Sequence, residues 1–111
     1  MTVVHRELTA GRWFELSLVE QMANIGSEIE RTVAWRGRSE RNSAAAFDRC
    51  LELLDLTIAE PRHRRRLREL TRVREGLADH FVFNKLYGST DEAWRRYFHA
   101  FTYAAALRRG R

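Results

Sequence analysis

The stretch FELSLVEQMANIGSEIERTVAW, Phe14 to Trp35, carries apolar side chains at Phe14, Leu18, Met22, Ile25, Ile29 and Val33. An α-helix turns once every 3.6 residues, so steps of four, four, three, four and four draw these side chains into one stripe. The spacing predicts a helix from about Gly11 to Trp35. Leu16, Val19, Ala23 and Gly26 form a second apolar line, roughly 100° around the same cylinder. Ser17, Gln21, Asn24, Glu28 and Arg31 form the polar strip that remains. A helix apolar on two sides needs neighbours on both, and the small Ala23 and Gly26 admit a close one. That neighbour is either another helix of the chain or a second subunit. Leu16, Val19, Ala23 and Gly26 are accordingly the candidate interface of a homo-oligomer.

Outward from this helix, the polar connection RGRSERNS places Gly37 at the helix end and Asn42 or Ser43 at the next cap. AAAFDRCLELLDLTIAE then presents Phe47, Leu51, Leu54 and Ile58 on one face, widened by Cys50 and Leu53. Pro61 closes this second helix and is suited to start a third, whose buried face is Leu67, Leu70, Val73, Leu77 and Phe81. NKLYGST reads as a turn pivoting on Gly88, and Ser89 with Glu92 forms a capping-box pattern. The fourth helix carries Trp94, Tyr97, Phe98, Phe101 and Leu107 and thins at Ala104, Ala105 and Ala106. Four amphipathic helices with short turns predict one all-α domain, an antiparallel four-helix bundle over residues 1–111. Residues 1–10 are expected to form an N-terminal arm, and residues 108–111 a basic tail.

The composition agrees with that class. One proline and six glycines among 111 residues leave little punctuation for many short strands. The single cysteine, Cys50, allows no internal disulfide, and no apolar run is long enough to cross a bilayer. MTVVHRELTAGR lacks the basic start, apolar middle and cleavage site of a signal peptide, so the expected location is cytoplasmic, away from membranes. Twenty basic residues against fifteen acidic give a net charge of +5, and Lys85 is the only lysine. Arginine stays protonated and grips phosphate or carboxylate with two parallel donors.

Most of this charge gathers in EPRHRRRLRELTRVRE, Glu60 to Glu75. On a helical wheel Arg64, Arg65, Arg68 and Arg72 lie opposite Leu70 and Leu77. A helix N-terminus disfavours cations by about 0.3–1 kcal/mol each, so folding alone gives no reason for them. An external anion does. Contact with an RNA or DNA backbone would be salt-dependent and weakly sequence-specific. An acidic protein is the other partner, and a solvated face or pairing with neighbouring carboxylates is the structural alternative. Arg108, Arg109 and Arg111 are candidates for a tail contact.

REGLADHF, Arg74 to Phe81, resembles the HEPN family of small helical proteins, many of them ribonucleases, whose motif is an arginine followed four to six residues later by a histidine. The resemblance implies a dimer in which His80 is the acid or base and Arg74 the phosphate clamp. Glu75, which would repel phosphate, stands at the polar position that often follows the arginine in the family, and Val82 where the family often has a tyrosine. Read from the residues alone, Arg74 pairs with Glu75 or Asp79, and His80 lies at the core boundary. A longer stretch, residues 19–54, resembles the small four-helix bundles related to ribosomal intervening-sequence proteins and to retroelement accessory proteins. That resemblance implies a basic, non-catalytic bundle that assembles into rings and binds nucleic acid.

Metal and cofactor chemistry is not expected. Glu60 and His63 have the spacing of half a bundle metal site, but Pro61 interrupts the helix that would aim them, and Glu52 to Asp55 lacks an upstream Glu-x-x-Glu partner. No glycine-rich phosphate loop, Cys-x-x-Cys pair or Ser, His and Asp set is present. The aromatic run Trp94, Tyr97, Phe98, Phe101 and Tyr103 reads as core at this spacing and would stack bases if exposed, and Trp13 and Trp35 read as partner surface. The leading expectation is an oligomeric, arginine-rich bundle that binds nucleic acid or an acidic partner. A HEPN-like ribonuclease and a purely structural assembly module are the alternatives.

Overall fold

Ser17 decides where the first long helix begins. The computed structural model describes residues 11–83 and 86–110, so the expected arm at residues 1–10 and Arg111 lie outside the described residues. Ser17 Oγ accepts the Glu20 backbone N–H at 3.2 Å, and the Glu20 carboxylate accepts the Ser17 N–H at 3.0 Å. This reciprocal pair caps α1, Leu18–Trp35.

The helix expected from Gly11 is therefore interrupted. Residues 11–13 are helical, and a turn follows in which the Glu15 and Leu16 N–H groups donate to the Arg12 and Trp13 carbonyls, both at 3.1 Å. Phe14 falls out of the stripe and is 43% exposed. Trp13 takes its place in the core, where its indole N–H donates to Thr57 Oγ1 at 2.8 Å. The expectation of Trp13 at a partner surface is thus corrected.

Gly37, with φ of +84°, ends α1 as expected, because a positive φ strains any residue with a Cβ. The next helix, α2, spans Glu40–Ala59 and is capped by Ser39 rather than by Asn42 or Ser43. Ser39 Oγ accepts the Asn42 N–H, which leaves Ser43 buried inside the helix with its hydroxyl donating to the Thr32 carbonyl of α1 at 2.8 Å.

Pro61 terminates α2 but does not open a continuous α-helix. Residues Pro61–Arg66 form a 3₁₀ segment kinked at His63 (φ −99°, ψ 16°), and α3 begins only at Leu67, running Leu67–Phe81. As the first residue of α3, Leu67 is 41% exposed instead of buried. Asp79 then folds back the connection that follows, accepting the Leu86 N–H at 2.8 Å and the Tyr87 N–H at 3.1 Å. Gly88 adopts φ of +67° in this turn.

The last helix, α4, spans Asp91–Arg109 and is capped by Thr90, not Ser89. Ser89 Oγ instead accepts the Trp94 indole N–H at 3.0 Å. Leu107 and Tyr103, expected inside, are exposed at the far end of α4.

The elements assemble as an all-α, antiparallel four-helix bundle in which α1 contacts α2 and α4, and α3 lies against α2. Met22, Ile25 and Ile29 of α1 meet Phe47, Cys50 and Leu54 of α2, Leu70 and Leu77 of α3, and Phe98 of α4. Each such side chain contributes about 1.5–3 kcal/mol when withdrawn from water. Both apolar sides of α1 are therefore used within the chain. Gly26 is buried against Phe98, Leu16 packs at the edge of the core, and Val19 and Ala23 remain half-buried. Gly26 thus belongs to the contact of α1 with α4 of the same chain. Among the described residues, no helix is long and apolar enough to cross a membrane.

Candidate nucleic-acid interface

The arginines of the segment from Glu60 to Glu75 divide into two sets. Arg62 bonds the Glu60 carboxylate and donates to the Phe14 and Leu16 carbonyls, which ties the 3₁₀ segment to the turn before α1. Arg66 donates to Glu69 at 2.9 Å, and Arg74 donates to Asp55 of α2 at 2.7 Å. These three are structural. Arg64, Arg65, Arg68 and Arg72 are exposed, and none has an ion-pair or hydrogen-bond partner among the described residues.

Steps of three and four residues carry Arg65, Arg68 and Arg72 along one side of the 3₁₀ segment and α3. There they line an open groove of about 480 Å³, together with Glu69, Val73, Trp94 and Tyr97. The two aromatic rings come from α4 and are held firmly. A Cβ placed on Gly76 would stand 2.7 Å from Trp94 Cζ2, so the edge of the indole lies directly on the α3 backbone. Trp94 and Tyr97 meet edge to face at 6.1 Å between centroids. The Tyr97 hydroxyl donates to Glu69 Oε2 at 2.7 Å.

These contacts set the charges in the groove. Burial, then the carboxylate of Glu69, raises the Tyr97 phenol above its ordinary value of 10.0, so the ring is neutral and its hydroxyl a donor. Glu69 is pulled below 4.5 by the Tyr97 hydrogen bond and by Arg66, against the opposing effect of burial. It is ionised at neutral pH. The groove thus offers exposed guanidinium groups and one carboxylate from the 3₁₀ segment and α3, and fixed aromatic rings from α4. Guanidinium groups suit phosphate oxygens, and exposed aromatic rings suit planar bases.

The other residues singled out from sequence lie elsewhere. Arg64 adjoins Arg65 but does not line the groove. Arg108 and Arg109 form the last turn of α4, where cations complement the helix dipole. Arg108 follows Trp94 by 14 residues, about 21 Å along the helix, and so stands well away from the groove. Glu20 has its carboxyl lowered first by the Ser17 hydrogen bonds and more weakly by Arg108 and Arg109.

Arg74 and His80 serve separate contacts. Arg74 reaches across to Asp55 of α2, and not to Glu75 or Asp79. His80 is buried, and its Nε2–H donates to Asp91 Oδ1 at 2.7 Å, while Arg36 donates to Asp91 Oδ2 at 2.8 Å. Its Nδ1 has no hydrogen-bond partner among the described residues. Six residues along a helix correspond to about 240° of rotation, so the two side chains leave α3 in different directions. Within one chain the structure does not bring them to a common point.

A polar cluster under the corner of α2 is not readable from the helical wheel. Gln21, assigned to the polar strip, is fully buried. Its amide donates to the Trp13 carbonyl at 2.9 Å and to Glu60 at 2.6 Å, and its carbonyl accepts the His63 Nε2–H at 2.9 Å. Glu60 and His63 do approach, at 3.5 Å, but inside this network. No group of three or more His, Cys, Asp or Glu among the described residues is placed to hold a metal ion. Burial pushes the Cys50 thiol up to about 12, which keeps it protonated in the core.

Of the residues in the groove, sequence reading overlooked Glu69 and assigned Trp94 and Tyr97 to the core, with base stacking as the alternative. Trp94 and Tyr97 sit at core spacing in α4, and the close approach of α4 to Gly76 brings both to the groove that the arginines line. No protein-family model matches the chain, and no curated protein or solved structure is similar enough to it to count as a match.

Proposed function

We propose that the protein is a cytoplasmic, non-enzymatic bundle that binds nucleic acid through Arg65, Arg68 and Arg72, with Arg64 beside them. The observation that carries this reading is the division of the arginines. Within one short segment, Arg62, Arg66 and Arg74 hold the protein's own carboxylates, whereas Arg64, Arg65, Arg68 and Arg72 stand exposed with no such partner among the described residues. Unpaired guanidinium groups repel one another, and a polyanion relieves that repulsion while releasing its own counterions. A net charge of +5 favours the same class of partner. The resemblance of residues 19–54 to basic, nucleic-acid-binding four-helix bundles supports the same reading.

Arg68→Glu tests it, because this residue is exposed and its reversal leaves the core untouched. Affinity for a short oligonucleotide at low salt should fall about tenfold or more. An unchanged affinity would remove the groove from the account.

A further inference from the structure

We infer that the groove takes single-stranded nucleic acid, with an unpaired base stacked on Trp94, its edge toward Tyr97, and the adjoining phosphates held by Arg65, Arg68 and Arg72. The inference rests on the nucleic-acid reading of the same site. Its support is the combination of charge with a concave aromatic wall. A duplex presents phosphates on its outside and keeps its bases stacked within, so a surface built only for duplex backbone has no use for aromatic rings. Here two rings line the cavity that the arginines flank. At about 480 Å³ the open groove is as large as ordinary ligand clefts, ~300–1,000 Å³.

The rings are also prepared for stacking. Trp94 is fixed by its indole hydrogen bond to Ser89 and by its edge on Gly76, and Tyr97 by its bond to Glu69. Little side-chain freedom remains to be lost when a base is laid against them.

Glu69 joins the two walls. Its carboxylate, which belongs to α3, is shared between Arg66 of the basic segment and the Tyr97 hydroxyl of α4. The carboxylate also leaves acceptor capacity for a base amino group.

The test compares one mixed-sequence oligonucleotide carrying a single 2-aminopurine, as RNA and as DNA, with its blunt duplex at the same low salt. The single strand should bind about tenfold more tightly than the duplex, and 2-aminopurine emission should fall on binding, as expected for a base stacked on a ring. Trp94→Leu should remove that preference and Trp94→Phe should restore most of it. Should Trp94→Leu fail to fold, the emission of the wild-type complex still decides. Equal affinity for single strand and duplex, or an unquenched 2-aminopurine in the bound strand, overturns the inference and leaves the groove as a phosphate clamp. Absence of binding to any of these nucleic acids overturns both this inference and the reading beneath it.

Discussion

Gly26 of α1 lies so close to Phe98 of α4 that a Cβ at Gly26 would stand 2.7 Å from the Phe98 Cβ. The approach is between main chains, because the atom met is the root of the phenylalanine side chain and cannot swing aside. Gly26→Ala gains about 1 kcal/mol of helix propensity but forces α1 and α4 apart, which costs about 1–3 kcal/mol. The expected result is a net loss of about 1 kcal/mol, read as a lower urea midpoint with an unchanged slope. A variant as stable as the wild type would mean that the two helices separate freely.

Trp13 anchors the turn before α1 to α2. Trp13→Phe retains most of the buried surface and removes the bond to Thr57, so it should cost about 1 kcal/mol. Trp13→Ala leaves a large cavity and should cost about 3–5 kcal/mol. Chemical denaturation of the two variants checks the ratio. Equal effects would show that Trp13 contributes through its bond to Thr57 alone and not through its volume.

Two groups should shape the pH dependence of stability. Burial holds the His63 imidazole below its ordinary 6.5, with Glu60 opposing and Arg62 and Arg66 assisting. The unfolded chain then takes up a proton at a higher pH than the folded one. The contribution of His63 is therefore complete above 6.5 and is lost as the pH falls through the lowered folded value. Asp91 follows at lower pH. Burial opposes its ionisation, but the bonds from His80 and Arg36 prevail and hold it below 3.8, so its contribution is lost as the pH falls from 3.8 through the folded value. His63→Gln should flatten the stability profile just below about pH 6.5, and Asp91→Asn should flatten only the limb below about pH 4. Urea unfolding across pH measures both. Profiles parallel to the wild type would contradict these assignments.

The sequence is most informative where one helix face decides the matter. Met22, Ile25 and Ile29 are buried in the stripe that their spacing marks, and Gly37 and Gly88 take the positive φ values that end elements. Boundaries are less legible because strong periodicity hides weaker local signals. Ser17 and Glu20 form a capping box inside an apolar stripe that continues on both sides of it, so periodicity alone gives no break there. Gln21 looks like a solvent-facing residue on the wheel, yet Trp13, Glu60 and His63 close over it from distant parts of the chain. The groove is half legible. Exposure of the arginines follows from their position opposite Leu70 and Leu77, whereas the aromatic wall depends on how α4 meets Gly76, and no local pattern encodes that.

The central claim is that Arg65, Arg68 and Arg72 act together on phosphates, and the dependence of affinity on salt measures this directly. The logarithm of the binding constant for a single-stranded oligonucleotide should fall linearly with the logarithm of salt concentration. The slope should be shallower by roughly 2 in the Arg65→Ala, Arg68→Ala, Arg72→Ala triple variant, about 0.7 for each phosphate that is no longer neutralised. Slopes that coincide in the wild type and the triple variant would show that the groove does not hold the nucleic-acid backbone.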